Sequence, residues 1–263
     1  MSRAIRMLLA ATAAGGLALS ALMTAGAASA TINGPGTHGP GSVYFGPGTG
    51  SHAISRVTAA PTSTRTFAGY QTALPAGSAT VATASFTVPT LTCTTTDREI
   101  AASAAVPANN SKTISVAYVF TGCVSGQAVY YPGLLINGNG HVYRTTPFSA
   151  GDVITLTTKV STNRTRVQVT DVTTGVTSKL LGAGARASSA YFGDVALGSR
   201  TVALYHVPDF GKLTFKNCLI DGKPLASWHP HAYQRVNSRG TVQIQTGGLW
   251  PAGTAFTTHY QHS

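Results

Sequence analysis

Alternation of apolar and polar residues is the main pattern along the chain from about residue 80 onward. In Ala82–Val88, apolar side chains occupy every second position and are separated by threonine and serine. The same spacing recurs at Ile114, Val116, Tyr118 and Phe120. A period of two sends successive side chains to opposite faces of a strand. The pattern therefore predicts β-strands that pack one face against a core.

Two further segments have the spacing of a β-hairpin. Val153–Ser161 and Thr165–Thr170 are strand-like runs, and Thr162, Asn163 and Arg164 lie between them as a turn. Other short strand-like runs are Ala128–Tyr131, Leu134–Ile136, Thr201–His206, Lys212–Phe215 and Thr241–Gln245. Many short strands joined by glycine and asparagine turns predict an all-β fold, either an antiparallel sandwich or a barrel.

The composition of the 263 residues agrees with this fold class. Only 10% of the residues are charged and 43% are hydrophobic, which excludes a coiled coil and a charge-rich disordered chain. Glutamate, a frequent residue on exposed helix faces, occurs once, at Glu99. The chain therefore has enough apolar surface for a core but few helix-forming residues.

The first thirty residues have the organisation of a secretory signal peptide. Arg3 and Arg6 precede an apolar run, Met7–Ala27, which is followed by the small residues Ala28–Ala30. A membrane anchor is the alternative, because the run is about as long as a bilayer-spanning helix. The small-residue site and the glycine- and alanine-rich run favour cleavage. We therefore expect a secreted protein without a membrane span in its mature chain.

The remaining chain divides into three parts by composition. Residues 31–66 contain Gly-Pro-Gly-Thr twice and little apolar content, as expected for a linker or propeptide. Residues 67–225 hold most of the strand-like runs and form the predicted domain. Residues 226–263 form a C-terminal extension that we expect to add strands to the same domain. We expect the protein to be a monomer.

The chain is basic, with 18 lysines and arginines against 7 aspartates and glutamates. These cations are scattered singly and form no polybasic run, so we predict a solvated surface and no nucleic-acid partner. The sequence has no phosphate loop or zinc ribbon, and we predict no cofactor. His229, His231, His259 and His262 lack a matched carboxylate, so we predict no metal site either.

Three cysteines, Cys93, Cys123 and Cys218, would lie in an oxidising compartment after export. Cys93 and Cys123 are close in sequence, and each ends a strand-like run. We predict a disulfide between them that stabilises the fold by about 3 to 4 kcal/mol. Cys218 lies in an apolar run without a histidine neighbour, so we interpret it as a buried thiol and not as a nucleophile.

Three local patterns, taken in order, resemble a known family. They are Ala84–Pro89, then Gly151–Ile154 with a hairpin ending at Asp171–Gly175, and finally Pro208–Phe215. Together they cover roughly residues 67–222 and resemble the eqolisins, the glutamic peptidases. The resemblance implies a concanavalin-like sandwich of two antiparallel sheets, with a substrate groove across the concave face.

The family is expected to work through a glutamine and a glutamate that face each other in the groove. The glutamate acts as general base on water, and the glutamine helps to hold that water and the oxyanion. The segment Ala128–Gly133 matches the glutamine strand and places Tyr131 at the glutamine position. The segment Ser188–Asp194 matches the glutamate strand and places Asp194 at the glutamate position. The resemblance thus makes Asp194 and Tyr131 the candidate catalytic positions, both substituted.

Further residues are predicted to line the groove. Arg144 falls where the family carries an acidic residue. Tyr131 and Asp194 are separate in sequence, and a tyrosine hydroxyl near the carboxylate is one way to hold a water. The predicted groove residues are Gln127, Tyr143, Arg144 and Tyr191.

These substitutions indicate a degraded or rewired peptidase site in a groove that binds peptide or cell-wall glycan. Two alternatives stay open at this point. One is an active acid endopeptidase with Asp194 as general base. The other is a lectin-like or structural cell-surface module without catalytic chemistry.

Overall fold

The computed structural model describes residues 30–31, 60–75, 77, 79–94, 98–107, 114–137, 139–143, 145–195, 207–250 and 252–262. For residues 98–107 the description concerns the backbone. The predicted signal peptide up to residue 29, most of the predicted linker, the strand-like run 201–206 and Arg144 lie outside these residues.

Seventeen strands form in the described part of the chain. They are β1 (Ala30–Thr31), β2 (Thr62–Thr64), β3 (Phe67–Ala73), β4 (Thr80–Thr87), β5 (Arg98–Pro107), β6 (Ile114–Val124), β7 (Gln127–Ile136), β8 (Asn139–Val142), β9 (Val153–Val160), β10 (Arg164–Asp171), β11 (Thr177–Ala183), β12 (Ser189–Val195), β13 (Lys212–Ile220), β14 (Lys223–Pro224), β15 (His231–Val236), β16 (Val242–Thr246) and β17 (Phe256–Tyr260). One turn of 3-10 helix, Leu225–Trp228, connects β14 to β15.

The strands form two sheets that are antiparallel except at β2. The first sheet has the order β1-β8-β7-β6-β5-β12-β3-β15-β16-β17-β13, and β2 runs parallel beside β15. The second sheet has the order β11-β10-β9-β4-β13-β14. Strand β13 belongs to both sheets, since Lys212–Phe215 pairs with β17 and Lys216–Ile220 pairs with β4. The predicted all-β, two-sheet antiparallel fold is therefore confirmed.

The predicted alternation determines which side chains enter the interior. Ala82, Ala84 and Phe86 of β4 are buried in the space between the sheets. The predicted hairpin is also present, because β9 and β10 pair in antiparallel register from Val160 and Thr165 to Ile154 and Asp171. Apolar side chains on alternate residues of β4, β9 and β10 are thus removed from water, which is the main stabilising contribution of such a sandwich.

Buried residues form two clusters on opposite faces of the first sheet. The main core lies between the two sheets and includes Ala68, Tyr70, Phe86, Val119, Ile154, Leu156, Val167, Ala190, Phe192, Leu213, Phe215, Ile244 and Phe256. The outer cluster consists of Phe67, Ile114, Val116, Tyr118, Leu135, Val142, Tyr191, Val195 and Tyr233, with Phe120 and Tyr131 packed against it. Strands β3, β6 and β12 contribute alternate residues to each cluster, as their period of two requires.

Strands β3 and β12 approach closely where two glycines meet. Gly69 and Gly193 are cross-strand partners with φ of 143° and 149°. A Cβ atom added to Gly193 would lie 2.1 Å from the carbonyl oxygen of Ala68. A side chain at this position is therefore incompatible with the observed pairing.

The predicted disulfide is present between Cys93, which follows β4, and Cys123 of β6. Their Cα atoms lie 5.5 Å apart. Cys218 is a buried free thiol, as the sequence predicted.

Segments on both sides of the predicted domain contribute to the first sheet. Strand β2, within the predicted linker, pairs with β15, and strands β15, β16 and β17 of the predicted C-terminal extension lie between β3 and β13. Among the residues described here, no helix has the length and apolarity needed to cross a bilayer.

Candidate functional site

Asp194 lies on β12 with its side chain directed into the space between the sheets. Ala190 and Phe192, four and two residues earlier on the same strand, belong to the main core. The cross-strand partner of Asp194 on β3 is Ala68, another main-core residue. Only 1% of the residue is exposed to solvent. The carboxylate is therefore buried within the sandwich.

A C-terminal strand supplies the hydrogen-bond partner of this carboxylate. The Thr258 hydroxyl, on β17, donates to Asp194 Oδ2 across 2.5 Å. The same Thr258 hydroxyl lies 3.4 Å from the carbonyl oxygen of Leu213. Asp194 Oδ1 is buried and has no hydrogen-bond partner among the described residues. One carboxylate oxygen thus accepts a hydrogen bond, and the other is buried without one.

Burial dominates the electrostatics of Asp194. It raises the pKa of the carboxyl from 3.8 to about 7, although the Thr258 hydrogen bond and the positive charge of Arg235 both lower it. Arg235 is itself completely buried, and burial lowers the pKa of its guanidinium to about 10 despite the favourable charge of Asp194. The interior of the sandwich therefore holds two ionisable groups that influence one another.

Tyr131 lies on the opposite face of the first sheet. Its cross-strand neighbour on β6 is Phe120, and the two ring centroids are 6.4 Å apart. Both residues are half-buried and pack against the outer cluster. The structure consequently does not bring Tyr131 and Asp194 together, because the sheet lies between their side chains.

The outer cluster is rich in aromatic rings. Tyr191 packs edge-on against Phe67 at 5.6 Å, and Tyr233 lies 5.9 Å from Phe67 on its other side. The Tyr118 ring lies directly over Gly133 of β7, where an added Cβ would come within 2.1 Å of the ring. Glycine at position 133 therefore leaves the space that the Tyr118 ring occupies.

Gln71 is a polar residue beside these aromatic rings that the sequence analysis missed. It is half-buried on β3, with Tyr191 of β12 on one side and His231 of β15 on the other. Directly opposite residues share a face, so Gln71 lies on the face of the outer cluster. Its amide oxygen is buried and has no hydrogen-bond partner among the described residues. Only the register of β3 with two distant strands identifies this position.

The predicted groove residues occupy different environments. Tyr191 belongs to the outer cluster. Gln127 is exposed at the start of β7, four residues before Tyr131. Tyr143 is half-buried and packs against the main core. Arg144 lies outside the described residues.

The other described carboxylates accept hydrogen bonds from backbone amides, and all except Asp221 accept them from residues of their own turn. Asp152 accepts from the Ser149 amide, Asp171 from the Thr173 amide and the Thr174 amide and hydroxyl, Asp209 from the Gly211 amide, and Asp221 from the Val81 amide. No group of three or more histidine, cysteine or acidic side chains in the described part of the chain is placed to hold a metal ion.

Comparison with known proteins decides the family. The model of the peptidase A4 family, the eqolisins, matches residues 65–247, which is well over half of the chain. The chain belongs to the peptidase A4 family. No curated protein matches its sequence significantly.

Solved structures of eqolisins share the fold of this peptidase A4 member. Scytalido-glutamic peptidase, solved with a transition state analog inhibitor, is 14% identical with a TM-score of 0.57, over 74% of this chain and 100% of that chain. The eqolisin SCP-B, solved with the tripeptide Ala-Ile-His, is 14% identical with a TM-score of 0.52, over 74% of this chain and 100% of that chain. Aspergilloglutamic peptidase from Aspergillus niger is 18% identical with a TM-score of 0.50, over 63% of this chain and 99% of that chain.

Proposed function

We propose that this protein is a secreted, peptide-binding member of the peptidase A4 family with weak or no peptidase activity. The observation that carries the proposal is the position of Asp194. Its carboxylate is buried between the sheets, and Tyr131 points away from it on the other face.

A general base must come within hydrogen-bond reach of the water that it activates. Asp194 Oδ2 is occupied by Thr258, and the residue has almost no contact with solvent. The sequence resemblance puts Tyr131, and not an amide side chain, at the partner position. Loss of one oxyanion donor costs about 100- to 1,000-fold in rate in well-studied hydrolases. Both members of the expected catalytic pair are therefore poorly suited to hydrolysis.

The outer face of the first sheet is better suited to binding. The half-buried rings of Phe120 and Tyr131 offer apolar contact area on this face, and tyrosine adds a hydroxyl for hydrogen bonding. Half-buried Gln71 lies beside Tyr191 on this face, and its amide oxygen has no hydrogen-bond partner among the described residues. An extended peptide presents alternating side chains and backbone amides, so it matches an aromatic face that carries an unsatisfied acceptor. An eqolisin solved with a tripeptide makes a peptide the first ligand to test.

An active acid endopeptidase is the second candidate, and the raised pKa of Asp194 favours it. General bases and acids in enzymes commonly have pKa values near 7 as a result of burial. Asp194 has such a pKa, about 7. This candidate requires Asp194 to reach solvent and substrate, whereas the first candidate does not.

The deciding experiment measures cleavage and binding on the same purified chain. The purified chain is incubated between pH 3 and pH 7 with denatured protein and with a quenched peptide library, and cleavage of both is followed. Binding of the peptide library to the chain is measured by fluorescence. We expect binding with little or no cleavage. We expect Gln71→Ala to weaken binding about tenfold, because it removes the acceptor, and the exposed Gln245→Ala to leave binding unchanged.

Each other outcome has a defined meaning. Vigorous cleavage that Asp194→Asn abolishes, with the fold retained, establishes the second candidate and overturns the first. Cleavage that Asp194→Asn leaves intact assigns the general base to another residue and also overturns the first. Binding of neutral glycan in place of peptide would make the protein a lectin. Mass spectrometry of the secreted chain tests export separately, with an expected N-terminus at Thr31.

A further inference from the structure

The fold brings four scattered cations together on the second sheet. Lys159 of β9, Arg164 and Arg166 of β10 and Lys179 of β11 are all exposed on the face that points away from the main core. With Ser161 and Leu181 they line a shallow depression of about 360 Å³. We call these four cations the basic platform.

The register of the three strands determines the spacing of the charges. Lys159 is directly opposite Arg166, and Arg166 is directly opposite Leu181. Such pairs have Cβ atoms about 4.5–5.5 Å apart. Arg164 and Arg166 are two residues apart on one strand, a separation of about 7 Å. The positive charges thus repeat every few ångströms in two directions.

Among the side chains that the structure describes, no carboxylate compensates these charges. No acidic residue lines the depression, and the described turn aspartates accept backbone hydrogen bonds elsewhere. Like charges that lie directly opposite each other destabilise a sheet. An anionic ligand would neutralise this repulsion.

Neutral hydrogen-bonding groups continue the platform along the same face. Arg166 donates to the side-chain oxygen of Gln168, and Gln168 donates to Thr170 across 2.9 Å. The Thr170 and Thr177 hydroxyls lie 3.2 Å apart between β10 and β11. The side chain of Leu181, 45% exposed, adds an apolar contact beside the charges. The face therefore combines cations, hydroxyls and an amide.

We propose that the basic platform binds an acidic polysaccharide. Regularly spaced carboxylate or sulfate groups match the two-dimensional array of cations, and sugar hydroxyls match the amide and threonine side chains. The proposal does not depend on the proposed function, because the platform lies on the second sheet and the outer cluster lies on the first.

Two other polyanionic partners fit the surface less well. Single-stranded nucleic acid is usually held by stacking on aromatic side chains, and the depression has none. Attachment to an anionic membrane normally adds several inserted apolar side chains, whereas Leu181 alone is apolar here. A hydrophilic polymer with charged groups requires neither feature.

Fluorescence anisotropy of labelled polygalacturonate and labelled dextran sulfate, with neutral dextran as a control, tests the proposal on the purified chain. The platform variant replaces Lys159, Arg164, Arg166 and Lys179 by glutamine. A control variant of equal charge change replaces Arg65, Lys212, Lys223 and Arg239, which are exposed at other places on the surface. Circular dichroism and thermal unfolding check that both variants fold.

The chain should bind at least one of the two acidic polymers and not neutral dextran. The platform variant should bind at least 20-fold more weakly, and the control variant should change affinity less than threefold. Four ionic contacts predict a fall of roughly 50-fold in affinity between 50 and 200 mM salt. Equal loss in both variants, or no binding to either polymer, overturns the proposal. Tighter binding to oligothymidylate or to vesicles containing phosphatidylserine also overturns it.

Discussion

Thr258 donates a hydrogen bond to Asp194 across 2.5 Å in the interior of the sandwich. The contact joins β17, near the C-terminus, to β12, which carries the residue that the sequence resemblance aligned with the family's glutamate. Hydrogen bonds to charged groups contribute about 1.5–3 kcal/mol when they are buried. Asp194 therefore has a structural role in this fold, whether or not it has a chemical one.

Stability should fall as pH rises because of Asp194. The folded pKa of about 7 lies above the usual value of 3.8, so the native state binds a proton more tightly than the unfolded chain. The resulting stabilisation is complete below about pH 4 and is lost as pH rises to about 7. Its full size is on the order of 4 kcal/mol. Urea unfolding between pH 3 and pH 8 measures this slope.

Asp194→Asn should flatten that dependence, because an amide does not titrate. Asp209→Asn is the matched control, since the hydrogen bond that Asp209 accepts from the Gly211 amide is exposed to solvent and lies outside the main core. A slope that survives in Asp194→Asn assigns the pH dependence to other groups.

Placing a glutamine at position 131 should not create a peptidase. The side chain of Tyr131→Gln would lie on the face of the outer cluster, and the carboxylate of Asp194 lies on the other face. Cleavage of denatured protein between pH 3 and pH 7 measures the effect. New activity in Tyr131→Gln that disappears when Asp194→Asn is added would show that the two side chains meet in solution.

Gly193→Ala should destabilise the protein by about 3 kcal/mol or more. Its Cβ would lie 2.1 Å from the carbonyl oxygen of Ala68, so β3 and β12 would have to separate. Gly248→Ala is the control, because an added Cβ there has no atom within 4 Å. The free energy of unfolding of both variants measures the difference. Equal small effects would contradict the close pairing of Gly69 and Gly193.

Removal of the disulfide should cost about 3 to 4 kcal/mol. The bond between Cys93 and Cys123 closes a loop with a sequence separation of 30, and the loss follows from the greater entropy of the unfolded chain. The double variant Cys93→Ser with Cys123→Ser is compared with the wild type by urea unfolding. Addition of a reductant should lower the stability of the wild type and leave that of the double variant unchanged.

Lys159→Gln should stabilise the sheet slightly, by about 0.2 to 1 kcal/mol, because it removes a like charge opposite Arg166. The gain should appear at low salt and disappear at 1 M salt, where such charges are screened. Lys223→Gln, at another edge of the second sheet, serves as the control. A gain that persists at high salt would have a cause other than charge repulsion.

Local patterns predicted the strands well because alternation acts within a single segment. Ala82, Ala84 and Phe86 enter the main core as expected, and the β9–β10 hairpin forms where its turn residues lie. The disulfide was also accessible from the sequence, since its two cysteines are close along the chain and each ends a strand-like run.

The relative positions of Asp194 and Tyr131 could not be predicted from local patterns. Alternation tells which residues of β12 share a face with Asp194, but not which of the two faces meets the other sheet. That choice depends on pairing with β3 and β5, and on packing against β17, more than 60 residues away along the chain. The cations of the β9–β10 hairpin look scattered along the sequence for a related reason. Lys159 and Arg166 become neighbours only through the register of β9 and β10.

Strand β13 joins the two sheets, because its backbone is hydrogen-bonded to β17 in the first sheet and to β4 in the second. The two sheets cannot come apart along that margin without breaking both sets of bonds. At the opposite margin, β11 packs against β7, and no strand of the described residues belongs to both sheets there. We therefore expect the sheets to separate first at that opposite margin, and the amides of β13 to be the last to exchange with solvent.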